Sequence, residues 1–363
     1  MHTLKSLTHA RHGYIVLKSF GNYNYFMYFS HITCVLKGGW LIPPPVMPRK
    51  AFLPFTFAMQ RAKMALLQET ERMTYMAASK AGFIGLGLIG GSIAKAIRKY
   101  YPDCELIAFD KSRESLALAV QEGTIDTACS SIDDNFKGCS CIFLCAPVSC
   151  NTAYLSQLKE LVGKDCILTD VGSVKTSIHE EIISLGMEEC FIGGHPMAGS
   201  EKSGFANSKA HLIENAYYIL TPSAKVPEEK VEEYRQFVSS LKAIPIVLDY
   251  KDHDLITGTI SHLPHIIAAS LVNFVHDTDT EDGLMKALAA GGFKDITRIA
   301  SSSPVMWQQI CLKNSRNISH ILAGYIHALE RAKQAVDLGD EDTLYSMFES
   351  SRDYRDSMPN SSA

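Results

Sequence analysis

The run Gly85-Leu-Gly87-Leu-Ile-Gly90 constrains this chain more than any other stretch. It closes a short apolar strand pattern at 81–85 and opens a helical pattern at 88–100. The next strand pattern, 105–110, ends in Asp110, 20 residues after Gly90. Strand, glycine turn, helix and strand-end acid in this order specify a dinucleotide-binding βαβ unit. Gly85 permits the tight turn, Gly87 lets backbone approach a pyrophosphate, and Gly90 lets the helix pack on the sheet. Free N–H groups around Leu88 and Ile89 then face the anion. Asp110 is placed to accept hydrogen bonds from a ribose, and its charge repels a 2′-phosphate. The expected cofactor is therefore NAD rather than NADP. Arg113, close in sequence, works against that preference.

Strand and helix patterns go on alternating. Residues 112–122 read as a helix with Ser112 as N-cap and Glu114 in the first turn. Strands follow at 139–146, 165–170, 190–193, 216–221 and 244–248, with helices at 174–185 and 227–241. This predicts a mostly parallel sheet, an α/β Rossmann-type dinucleotide-binding domain over 80–248. After Leu248 the alternation stops. Helices are expected at 252–275, 283–290, 296–300, 304–312, 316–338 and 342–351, an all-α domain over 249–351. Residues 352–363 read as a frayed polar tail.

Residues 1–79 show no sustained period, and only 57–75 could be helical. They hold 12 of the 33 aromatics. Three readings stand for them: translation starting at Met73 or Met76, a targeting segment, or an extra module. The net charge of −4 hides a +7 head over 1–79 and a −11 body. An acidic body argues against a nucleic-acid partner, since phosphate contacts need clustered Lys and Arg. Apolar stretches of the head are broken by Lys37, Gly38-Gly39 and Pro43-Pro44-Pro45, short of the roughly 18–20 residues of a membrane span. The ten cysteines form no paired zinc knuckles. At this length a reducing, cytoplasmic compartment is expected.

Three polar clusters carry the chemistry. Asp170-Val-Gly-Ser173-Val-Lys175 sits at a strand's carboxyl end, where open parallel sheets bind ligands. Gly194-His195-Pro-Met-Ala-Gly199-Ser200-Glu201-Lys202-Ser203-Gly204 follows another strand end as a glycine-rich loop. His195 is there either a structural donor or, next to a nicotinamide, a proton acceptor. His253-Asp254 and Ser261-His262-Leu-Pro264-His265 share one segment, with His262 and His265 on one helical face. A polar lining for an anionic pocket suits this pair better than a metal site, since no Cys or Glu stands at ligand spacing and Pro264 disturbs the helix. Arg298 is either a carboxylate clamp or the partner of Asp295.

Together these texts resemble the prephenate/arogenate dehydrogenase family of tyrosine biosynthesis. The matching runs are Gly85-Leu-Gly-Leu-Ile-Gly-Gly-Ser92, Asp170-Val-Gly-Ser-Val-Lys175, Gly194-His-Pro-Met-Ala-Gly-Ser-Glu-Lys-Ser-Gly204, Ser261-His-Leu-Pro-His265 and Gly292-Phe-Lys-Asp-Ile-Thr-Arg298. The resemblance covers 80–350. It implies a nucleotide-binding domain and a helical domain through which two subunits form a homodimer. It implies that His195 is the catalytic base and Ser173 its hydrogen-bonding partner. Arg298, His265 and Ser200 are implied to bind substrate. No regulatory domain or chorismate mutase bundle is legible, so a single-activity enzyme is expected. The reaction implied is oxidation of prephenate at C4 with loss of the C1 carboxylate. Arogenate remains an alternative substrate, and tyrosine feedback is plausible by resemblance. A β-hydroxyacid dehydrogenase of related architecture and a non-enzymatic NAD sensor are the further alternatives.

Overall fold

The computed structural model describes four strands of the head, residues 80–199 and residues 202–358. It divides into two units, Met1–Glu69 and Thr70–Ala363. In the first unit Ile15–Phe20 (β1), Tyr23–Tyr28 (β2), His31–Leu36 (β3) and Leu41–Ile42 (β4) form an antiparallel meander in sequential order. No strand was expected there. The missed signal is local: Gly21-Asn22 separates two runs rich in β-formers, a hairpin signature. The helix expected at 57–75 lies outside the described residues.

In the second unit, Lys80–Ile84 (β5), Glu105–Phe109 (β6), Thr127–Cys129 (β7), Cys141–Leu144 (β8) and Ile167–Asp170 (β9) form a parallel sheet in the order β7-β6-β5-β8-β9. Beside it lie Ile192–Pro196 (β10), Tyr217–Pro222 (β11) and Ile244–Val247 (β12). β11 runs antiparallel to β10 and parallel to β12. A single parallel bridge, Leu168 to Phe191, joins β9 to the start of β10. The carboxyl ends of β5, β6, β8, β9 and β10 thus share one edge.

The helices beside the sheet are Leu88–Tyr100 (α1), Arg113–Gln121 (α2), Val148–Leu158 (α3), Thr176–Leu185 (α4) and Glu228–Ser240 (α5). Ser112 caps α2 as expected, accepting the Ser115 N–H at 3.1 Å. The sequence reading missed β7 and α3. β7 is only three residues long, and α3 follows Pro147 without a side-chain cap, so neither carries a strong local signal. Two apolar clusters form the core, with Phe83 and Phe143 stacked at 4.9 Å on neighbouring strands. Cys104, Cys129, Cys139, Cys141 and Cys166 are buried in them as small hydrophobes. Burial pushes the Cys139 thiol up to about 12.

The all-helical part holds Tyr250–Thr257 (α6), Leu263–Thr278 (α7), Leu284–Leu288 (α8), Gly291–Thr297 (α9), Pro304–Lys313 (α10), Ser315–Leu338 (α11) and Glu341–Asp356 (α12). The single helix expected at 252–275 is interrupted by a π turn, Gly258–His262, with the Leu263 N–H bonded back to the Gly258 carbonyl. Pro264 offers no N–H, so the ladder must shift register just before it. The polar tail expected from residue 352 is instead helical as far as Asp356. By length and apolarity alone the run Tyr250–Thr278 could cross a membrane. Its His253, Asp254, Thr257 and His262 are however buried in the fold.

Candidate active site

Helix α1 starts at Gly87 with no side-chain cap and no acid in its first turn. Its leading N–H groups are left for an external acceptor, and the dipole there favours an anion. Gly85 has φ +96°, and a Cβ on it would lie 2.6 Å from the Ala146 nitrogen. On Gly90 a Cβ would meet the Gly85 carbonyl oxygen at 2.7 Å and Cys145 Cβ at 2.8 Å. At Gly87 the same space is open to 4 Å. The loop is therefore closed toward the protein and open above, as a pyrophosphate requires. Asp110 follows β6 directly. Its Oδ2 accepts the Leu86 N–H at 2.5 Å and its Oδ1 the Ser112 N–H at 2.7 Å. The carboxylate thus splints the glycine loop, and each oxygen keeps a lone pair for a ribose hydroxyl. These residues fit a dinucleotide.

The second half of the site gathers at the ends of β9 and β10. Asp170 ends β9, buried, and takes the Gly172 N–H at 2.9 Å and the Gly194 N–H at 3.2 Å. Buried Lys175 pairs with Asp170 through its ammonium and donates to the Gly194 carbonyl at 2.7 Å. Burial lowers the Lys175 pKa from its ordinary value, with Asp170 opposing. Glycine is needed opposite this knot: a Cβ on Gly194 would lie 2.5 Å from the Asp170 carbonyl oxygen.

His195 was expected in a glycine-rich loop. It lies instead within β10, paired with Ile219 of β11, because the antiparallel neighbour extends the strand to Pro196. That places the imidazole on a rigid ladder. Its Nδ1 stands 2.8 Å from His253 Nε2, and His253 Nδ1 stands 2.8 Å from Asp254 Oδ1. Asp254 also accepts the backbone N–H groups of Lys175 at 2.7 Å and Thr176 at 2.8 Å. Burial holds His195 well below the ordinary histidine value, helped by the neighbouring His253, Lys175 and His262. The ring is therefore neutral at pH 7. Burial lowers His253 too, against the pull of Asp254. Burial works against the Asp254 charge, but the bonds from His253, Thr176 and Lys175 outweigh it and hold the carboxyl below its usual range.

His262 and His265 do share a face, both against Trp307: His262 edge-on at 5.9 Å, His265 stacked at 3.8 Å. His262 Nδ1 meets the Asn314 amide at 3.1 Å, and the same amide donates to the Asp254 carbonyl at 2.8 Å. His265 donates from Nδ1 to the Ser261 carbonyl at 2.9 Å. Burial and the charge of Arg298 lower its pKa. Arg298 itself is exposed, on a short turn after α9. Ser173 is half-buried and, among the described residues, makes no hydrogen bond to His195. Ser200 lies outside the described residues. The sequence reading assigned no role to His253, Asp254, Trp307 or Asn314. His253-Asp254 was visible as a pair, but nothing in sequence brings it to a strand 58 residues away.

An anion-binding helix start, a strand-end acid and a buried neutral imidazole on one sheet edge define a dinucleotide-dependent oxidoreductase with a helical second domain. Residues 93–247 match the family model described as prephenate dehydrogenase, nucleotide-binding domain, and 249–350 that described as prephenate dehydrogenase, dimerization domain. The chain is 40% identical to prephenate dehydrogenase of Bacillus subtilis over 277 residues, 76% of this chain and 75% of that one. A crystal structure of prephenate dehydrogenase from Aquifex aeolicus, in complex with hydroxyphenyl propionate and NAD+, superposes with TM-score 0.72 at 30% identity, covering 76% of this chain and 97% of that one. Arogenate dehydrogenase from Synechocystis does so with TM-score 0.69 at 29% identity, over 76% and 99%. The chain belongs to the prephenate dehydrogenase family.

Proposed function

We propose that this enzyme catalyses the oxidative decarboxylation of prephenate to 4-hydroxyphenylpyruvate with NAD. The observation that carries the reading is the buried, neutral His195, fixed on β10 at the same sheet edge as the glycine loop. The Aquifex relative's complex with NAD+ supports the cofactor. Gly85, Gly87 and Gly90 with the N–H groups of Leu88 and Ile89 hold the pyrophosphate, and Asp110 receives the ribose. Bound NAD supplies the hydride acceptor. His195 Nε2 takes the proton of the 4-hydroxyl as C4 is oxidised, and loss of CO2 from C1 completes the aromatic ring. Ser173, on the loop after β9 and not bonded to His195 in the free chain, comes to bridge hydroxyl and imidazole when substrate binds. Arg298 clamps a substrate carboxylate in bidentate fashion. His265 lines the same anionic pocket. Because its Nδ1–H is committed to Ser261, it donates to a carboxylate only when protonated.

The partner is a second copy of this chain. Large apolar side chains stand exposed on the helical part, among them Ile260 at 62%, Phe274 at 65%, Leu288 at 77% and Phe348 at 67%. Such a surface fits a dimer interface, in line with the family model of that region. The nine cysteines from Cys104 to Cys311 are free thiols, which suits a cytoplasmic enzyme.

The arogenate reading is kept by the Synechocystis likeness. Initial rates of NADH formation with prephenate and with arogenate, and again with NADP, separate the possibilities. Higher kcat/KM with prephenate and NAD is expected. Preference for arogenate, or for NADP, would overturn the corresponding choice.

A further inference from the structure

We propose that His253 and Asp254 are positioning residues that fix the tautomer and orientation of His195. The inference rests on the reading of His195 as the base. The Asp254 carboxylate is buried and takes two backbone N–H groups, from Lys175 and Thr176, so it is ionised and can only accept. The hydrogen between Asp254 Oδ1 and His253 Nδ1, 2.8 Å apart, therefore belongs to His253. A neutral His253 then carries no hydrogen on Nε2, which must accept. The donor across the 2.8 Å contact is His195 Nδ1. A neutral His195 with Nδ1–H has its lone pair on Nε2, the nitrogen turned away from His253. One buried carboxylate thus dictates which nitrogen, two rings away, is the base.

The same chain answers a second need. When His195 takes the substrate proton, a cation forms in a buried place where the field of Lys175 already opposes it. The Nδ1–H of the charged ring is then held by His253, whose other nitrogen is held by the Asp254 anion. The added charge is spread toward a carboxylate instead of standing alone. No atom leaves the chain in this step: the abstracted proton rests on His195 Nε2 until solvent or product takes it. The pair also explains a sequence oddity. His253-Asp254 lies in the helical domain, while His195 lies on a strand of the nucleotide-binding sheet. The contact makes the base competent only when the two parts are docked.

The test uses the full-length enzyme. Leu at 253 removes the acceptor for His195; Gln at 253 can supply an amide oxygen near the position of Nε2. His253→Leu is expected to lower kcat by about 10²–10⁴-fold, the scale of losing a positioned base. KM for prephenate and NAD affinity should stay within a few-fold, and His253→Gln should recover much of kcat. Nitrogen-15 spectra of the wild type should show His195 with hydrogen on Nδ1 and none on Nε2. The proposal is overturned by hydrogen on Nε2 in the wild type, or by normal kcat in His253→Leu. Parallel loss of kcat, NAD affinity and thermal stability without recovery in His253→Gln would make the role structural and overturn it as well. His195→Asn serves as the control. If it keeps full activity, the base assignment itself fails; if it loses activity while His253→Leu does not, only the positioning role fails.

Discussion

At the scale of single residues, the proposed site divides into groups assigned to act on substrate and groups assigned to hold them. His195→Asn should lower kcat by about 10²–10⁴-fold with little change in KM, because it removes proton transfer and leaves binding in place. Steady-state kinetics at saturating NAD check this. Arg298→Gln should mainly raise KM, since the proposed clamp would act on ground and transition state alike; an unchanged KM would remove Arg298 from the proposed site. Buried histidines also set a pH limit. Burial lowers His179 and His262 to about 4 in the folded chain. Between there and about 6.5 the unfolded chain binds more protons, so stability is present above that window and lost as pH falls through it. Each such histidine costs about 1.4 kcal/mol per pH unit in the window. The urea midpoint should therefore fall between pH 7 and pH 5, and a pH-independent midpoint would contradict the buried, neutral state. His195, Arg298 and His265 stood out in the sequence as site candidates because their flanking text is distinctive. Asp254 and Asn314 did not, because their bonds to Lys175, to Thr176 and to each other cross long sequence separations.

At the scale of elements, the glycine loop shows how little space the first turn has. Gly90→Ala places a methyl against the Gly85 carbonyl and Cys145. It should cost about 1–3 kcal/mol of stability by overpacking and weaken NAD binding, which calorimetry and NAD titration can measure. A variant with wild-type stability and affinity would show that α1 can withdraw from the sheet. β5, α1, β6 and α2 were legible because caps, glycines and apolar periods agree there. The length of β10 was not, since it is set by its antiparallel partner β11, which arrives after a 20-residue excursion. The π turn was hidden too. A proline and a glycine inside an apolar helical period signal a disturbance, but whether it becomes a kink, a break or a wide turn depends on what packs there. Here a Cβ on Gly258 would meet Ile321 of α11 at 2.9 Å.

At the scale of the whole molecule, the body that carries every site motif has a net charge of −11, while the proposed substrate is a dianion. On the proposed assignment attraction is local, from Arg298 for the substrate and from the N-terminus of α1 for the cofactor, and catalysis should show only modest sensitivity to salt beyond these contacts. The exposed apolar face of the helical part predicts that Phe274→Asp weakens association, seen as a lower mass in sedimentation at low concentration; an unchanged dimer would place the interface elsewhere. In the proposed reaction one active site joins oxidation at C4 to decarboxylation at C1. Incubating the enzyme with NAD and prephenate labelled in its ring carboxylate tests it directly. One labelled CO2 is expected for each NADH formed, both lost together in His195→Asn. NADH without CO2, or no NADH at all, would contradict it.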